Sequence, residues 1–144
     1  YIPVFCGCGG GTTKGLRTLS LAQDAEGQSA MGIVLNAPIS DLNLLAVTKV
    51  VDIPVIITVV SEETDIAARL ASGASILNVA AGPGTAALVR KIRRDFPEVP
   101  IIASGGNTEE SIQATIATGA NAITFTPPST AELFKSMMAR YRES

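Results

Sequence analysis

The stretch from Pro54 to Ile92 aligns without a gap on the stretch from Pro100 to Met138, an offset of 46 residues. Pro54 falls on Pro100, Ile56 on Ile102, Glu63 on Glu109, Ile66 on Ile112, Gly73 on Gly119 and Ala74 on Ala120. Each copy has room for two strand–helix units. A weaker third copy starts at Ile2-Pro3-Val4-Phe5 and runs into Gly32-Ile33-Val34-Leu35. Apolar, β-branched runs predict strands at 2–6, 32–35, 54–59, 76–80, 100–104 and 122–125. Between and after them, helices fit 14–26, 41–50, 62–72, 84–95, 109–118 and 130–142. Ser61 and Asn107 are placed to cap the third and fifth helices, with acidic residues at the positive dipole end. Gly73 and Gly119 close the same two helices as left-handed caps. The strands are apolar nearly throughout instead of alternating, as a helix-covered parallel sheet requires. The class is α/β.

Repeated pairs of this size are the pattern of a (βα)₈ barrel of TIM type, which holds four pairs where this chain holds three. The expectation is a single domain over residues 1–144, with the repeat 54–92/100–138 inside it and the first two units of the barrel lacking. At 24 residues per unit, two more units give about 190 residues, near the lower limit for such barrels. The alternative is an open, doubly wound parallel sheet of flavodoxin or receiver type.

Composition narrows the chemistry. With 47% apolar residues and 14.8 kDa, folding into one domain leaves roughly 7,000 Å² accessible and buries about two-thirds of the chain's surface. Apolar runs are far shorter than the roughly 20 residues of a membrane-spanning helix, so no membrane partner is expected. Eleven basic and thirteen acidic residues are scattered. Only Arg90, Lys91, Arg93 and Arg94 cluster, too narrow a footprint for nucleic acid. There is no His, which removes the commonest general base and metal ligand. No metal or cofactor is expected. Cys6 and Cys8 are too close for an ordinary disulfide framework, and two thiols are too few for a four-thiolate zinc site. A reduced, cytoplasmic protein follows. The start at Tyr1, without Met or a signal pattern, points to a chain that begins inside a longer gene product.

In β/α folds ligands sit at the carboxyl ends of the strands. After the first strand comes Gly7-Cys8-Gly9-Gly10-Gly11-Thr12-Thr13-Lys14, whose Gly9, Gly10 and Gly11 let backbone N–H groups approach an anion while Lys14 adds a charge. Lys14 stands in a loop, whereas Lys49, Lys91 and Lys135 fall in outer helices. Ser104, Gly105, Gly106 and Asn107 follow the strand that would be seventh of eight and open the next helix, a place suited to phosphate. Across from them runs Thr126-Pro127-Pro128-Ser129, where two prolines donate no N–H and Ser129 offers a hydroxyl or caps the last helix. Thr58, Asn78, Ser104 and Thr124 occupy equivalent repeat positions and form an inward polar ring in a barrel. Such a ring serves either a ligand or only its own hydrogen bonds. Asn36 adds a polar group after the second strand. Cys6 and Cys8 read as a small buried apolar residue and a loop residue, Asp41 and Glu62 as first-turn helix acids.

From Ile53 to about Arg142 the chain resembles the phosphate-binding group of β/α barrels, most nearly the keto-deoxy-phosphogluconate aldolases. The matching stretches are Ile53-Pro54-Val55-Ile56 before a Glu-bearing helix start, Ala71-Ser72-Gly73-Ala74 before strand Ile76 to Ala80, and Phe96-Pro97-Glu98-Val99-Pro100 leading into Ser104-Gly105-Gly106. That family's Schiff-base lysine matches Asn78, which cannot form an imine. What the resemblance implies is a carbon–carbon lyase or isomerase acting on a sugar phosphate or 2-keto acid. Lys14 would then be the electrophile or imine former, Asn78 the second catalytic candidate, and Gly105-Gly106-Asn107 the anion clamp. The competing class is a non-catalytic ligand-binding or regulatory barrel. Arg90 to Arg142 also looks like the C-terminal half of a receiver domain, whose phosphoacceptor aspartate would fall at Asn78 and whose lysine at Thr126. The expected partner is a small anionic molecule, with self-association the one macromolecular contact left open.

Overall fold

The computed structural model describes residues 2–9, 15–36 and 39–143. The elements alternate: β1 (Phe5–Gly7), α1 (Leu16–Gly27), β2 (Gly32–Leu35), α2 (Asp41–Thr48), β3 (Val55–Val59), α3 (Ile66–Ala71), β4 (Ile76–Val79), α4 (Thr85–Asp95), β5 (Ile101–Ser104), α5 (Glu109–Ile116), β6 (Ala122–Thr124) and α6 (Thr130–Glu143). All neighbouring strands pair in parallel, and their spatial order is the chain order β1 to β6. A doubly wound or receiver-type sheet must reverse its strand order at a switch point. No reversal occurs, so that alternative is corrected. Each crossover instead advances one strand the same way round, and the sheet curls into a partial (βα) barrel.

Alternation of side chains along the strands divides the sheet into two faces. Ile33, Leu35, Ile57, Val59, Leu77, Val79, Ile101 and Ala103 are buried beneath the helices with Ala22, Leu44, Val47, Leu88, Val89 and Ile92. The other residues of each strand form the concave face. Register aligns Val34, Ile56 and Ile76 across its floor, then Thr58, Asn78, Ile102 and Ala122, then Ser104 and Thr124 nearer the mouth. The apolar floor and polar upper rows follow from where the β-branched and hydroxyl residues fall in the repeat.

Local chemistry moves several boundaries. The third helix starts at Ile66 and not at residue 62, because Asp65 accepts the Ala68 N–H at 2.9 Å and caps it, displacing Ser61. Likewise Thr108, not Asn107, caps α5: its hydroxyl accepts the Ser111 N–H while Ser111 reaches back to the Thr108 N–H. In both cases a residue nearer the helix satisfies the first-turn donors. Glu62 therefore lies in a turn ahead of its helix, where it pairs with Lys91 at 2.8 Å. Gly73 and Gly119 do close α3 and α5, at φ of 102° and 97°. The first strand is shorter than expected, starting at Phe5, and α1 begins at Leu16. No described helix is long and apolar enough to cross a membrane.

Candidate functional site

Two of the expected inward polar residues, Thr58 and Asn78, lie in one hydrogen-bonded row with Asn36. Asn78 Nδ2 donates to Thr58 Oγ1 at 3.1 Å, and the Thr58 hydroxyl donates on to Asn36 Oδ1 at 3.1 Å. The row crosses β4 and β3 to the residue after β2. Thr58 is thereby spent at both ends, while Asn78 keeps a carbonyl oxygen and Asn36 an amide for other partners.

Ser104 and Thr124 are register partners one row higher. With Gly106, Asn107, Phe125 and Thr126 they line a hollow of about 360 Å³. The glycines here are fixed by packing. A Cβ on Gly105 would stand 2.6 Å from Ile123 Cγ2 and 3.0 Å from Ile112 Cγ1, and Gly106 takes φ of 75° with Ser111 Oγ 2.5 Å from where its Cβ would be. Gly105 N–H is bonded to the Thr124 carbonyl at 2.9 Å, tying the loop to β6. Among the described residues, the N–H groups of Gly106 and Asn107 have no hydrogen-bond partner. They precede a helix N-terminus, where partial positive charge collects. Glu109 and Glu110 in the first turn of that helix oppose an incoming anion.

The structure does not bring Ser129 into this hollow. Its N–H and its hydroxyl both donate to Glu132 Oε2 at 2.7 Å, and Glu132 N–H returns to Ser129 Oγ at 3.3 Å, a capping box on α6. Those bonds hold the Glu132 carboxyl below its ordinary range. Gly9 ends the first loop's described part at φ of 83°, packed on Thr18. Lys14, Gly10 and Gly11 lie outside the described residues. Cys6 and Cys8 project to the same side of β1 with sulfurs 3.9 Å apart, and Cys8 also faces the Leu21 carbonyl. Burial foremost, then the bond to Cys6, pushes the Cys8 thiol up to about 11. It is thus a poor nucleophile. Among the described residues, no three His, Cys, Asp or Glu side chains gather where a metal ion could sit.

Sequence reasoning missed three contributors. Phe125 lines the hollow beside Thr126 of the turn expected opposite the clamp, and only its place at the end of the last strand could have signalled it. Thr64 and Arg69 stand at the mouth beside Asn36 and Thr58. The signal was the cap: with Asp65 starting the helix, position 69 lies one turn inside it, close to the strand ends. Asp41 is in the first turn of α2 as expected, and pairs with Arg69 at 2.9 Å.

No family model matches the chain, and no curated protein matches it. Solved structures do. A protein designated a phosphonomutase, from Burkholderia cenocepacia J2315, superposes with a TM-score of 0.69 at 15% identity over 99% of this chain and 69% of its own. Two crystal structures of a mandelate oxidase variant, one with 4-Br-2-hydroxy-methylphenylacetate and one with a monooxide FMN adduct, each give a TM-score of 0.73 at 16% and 17% identity. They match 85% of this chain, which spans only 50% and 48% of theirs. At such identities the likeness is one of fold, and the fold it shows is the TIM-type (βα) barrel, present here as six consecutive units.

Proposed function

We propose that the concave mouth binds a small anionic or phosphorylated metabolite. The observation that carries this reading is the hollow between Ser104 and Thr124, where two unpartnered backbone N–H groups meet a helix start and two hydroxyl side chains. Ser104, Gly105, Gly106 and Asn107 form the anion clamp, with Thr124 opposite. Asn36 and Asn78 serve the ligand's remaining oxygens, with Thr58 bonded to both and holding them in place, and Gly9, Gly10 and Gly11 are further ligand-binding residues in this reading. The accompanying chemistry is of lyase or isomerase type on a sugar phosphate or 2-keto acid, in line with the resemblance to keto-deoxy-phosphogluconate aldolases. Attack of the neutral Lys14 amine on a ketone expels water and leaves an imine at that nitrogen. A non-catalytic binding barrel is the second reading. It is favoured by Asn78, whose amide is spent on Thr58 and which supplies no amine.

Two measurements test these. Inorganic phosphate added to ¹⁵N-labelled protein should shift the Gly106 and Asn107 amide signals saturably, and Ser104→Ala should weaken the titration several-fold. Phosphate that leaves both signals unmoved rules out the anion clamp. Borohydride with pyruvate should add mass to the wild type and not to Lys14→Ala. No labelling of the wild type rules out the imine and leaves the binding barrel.

A further inference from the structure

A second hollow, of about 150 Å³, opens where β2 and β3 end, with Asn36, Thr58, Thr64 and Arg69 as its polar lining and Leu35 and Ile57 in its wall. Arg69 lies one turn inside α3, and helical side chains lean back toward the helix N-terminus, which directs it to the mouth. Its Nη1 alone is engaged, donating to the Ile39 carbonyl and to Asp41 Oδ1. Those two bonds fix the plane of the guanidinium. Nε–H and both Nη2 hydrogens have no partner among the described residues. That is the edge of the fork that matches the two oxygens of a carboxylate. Only 24% of the side chain is exposed, so a charge-assisted bond there is less diluted by water than one on the open surface. The Thr64 hydroxyl is likewise without a partner among the described residues and borders the same space, whereas Asn36 turns its Oδ1 to Thr58 and its Nδ2 toward Gly7. A water's share of liquid volume is about 30 Å³, so the hollow equals roughly five waters, room for a carboxylate and a carbon or two but not for a sugar ring.

We infer that this hollow is a carboxylate subsite, in which the Nε–Nη2 edge of Arg69 takes both oxygens and the Thr64 hydroxyl contributes a single bond. It deepens the reading of the mouth as a ligand site and rests on that reading, because it assigns the ligand an acid group held apart from the Ser104–Asn107 clamp. Two strand spacings separate β3 from β5, roughly 10 Å. Asp41 already balances the charge of Arg69, which makes the subsite weak alone and selective for shape over charge.

The test is an acetate titration of the ¹⁵N-labelled chain against sodium chloride at equal ionic strength. Acetate should shift the Arg69 Nε–H and the Thr64 amide saturably, with chloride leaving both in place. Arg69→Lys keeps the charge but loses the fork, and should weaken acetate at least tenfold while phosphate binding at Gly106 and Asn107 is unchanged. Thr64→Val, which removes no internal hydrogen bond, should weaken acetate several-fold and covers the case in which Arg69→Lys unfolds. Acetate that moves neither signal, or that binds both variants as it binds the wild type, overturns the subsite. Acetate that binds as expected while phosphate fails at Gly106 overturns the phosphate clamp alone.

Discussion

Cys8 has its thiol buried against the Leu21 carbonyl and the Cys6 sulfur, surroundings in which a thiolate is costly. Its folded value of about 11 lies above the ordinary thiol value of 9.0. A group whose folded pKa is raised supports the fold fully below the unfolded value and loses that support as pH rises through it toward the folded value. Thermal unfolding of the wild type should therefore fall between pH 8 and pH 11 more steeply than that of Cys8→Ala. Equal slopes would show that Cys8 is not the group responsible. At this scale the sequence told which residue types stand at the strand ends and which face they share: the repeat set Thr58 against Ser104 and Asn78 against Thr124, and the structure bonds Asn78 to Thr58 and puts Ser104 in register with Thr124. The sequence did not tell which of several adjacent polar residues would cap. Ser61 and Asp65 both carry an acceptor, and the choice fell to Asp65 because the chain turns between them.

At the scale of elements, the helices are tied to the sheet by a few polar side chains at its N-terminal end, opposite the mouth. Arg93 of α4 makes five hydrogen bonds, to the carbonyls of Gly119, Pro97 and Val99 and to Asn121 Oδ1. Asn121 in turn accepts the Ile101 N–H that opens β5. One guanidinium thus holds together α4, the entry to β5 and the entry to β6. Arg93→Ala strands the part-buried Val99 carbonyl, the other acceptors being exposed to water, and a cost of about 1–3 kcal/mol follows from leaving one such acceptor unmet. Urea unfolding should show that loss, while phosphate binding at the far end of the strands stays as in the wild type. A loss of binding with unchanged stability would place Arg93 in the site and not in the frame. Sequence reading saw Arg93 only as one of four clustered cations on an outer helix. Four of its five bonds go to main-chain carbonyls of two loops, and carbonyls leave no trace in residue identity. Element order and type, by contrast, were legible throughout, because the strands are apolar on both faces and each is followed by turn residues.

For the whole molecule the telling quantity is surface. The chain exposes 9219 Å², against roughly 7,000 Å² for a compact monomer of its mass, an excess of roughly 2,200 Å². The strand order has two open ends, where β1 pairs only with β2 and β6 only with β5. Ile2, Val4 and Phe5 are exposed beside β1, and α6 has no buried residue at all. Along α6 the exposed Leu133, Phe134, Met137, Met138 and Tyr141 fall at helical spacing in one stripe. Closing the barrel would remove such edges, and an uncovered apolar stripe of this extent drives association. The repeat disclosed the curl but not this consequence, since periodicity describes units and says nothing about the ends of a series. The 144-residue chain should accordingly self-associate as its concentration rises and should enhance the fluorescence of an apolar dye. Replacing Phe134 and Met137 together by Lys should lower both without unfolding the core, because neither side chain is part of it. Light scattering that finds the wild type monomeric at every concentration, with no dye bound, would show that these edges are not adhesive.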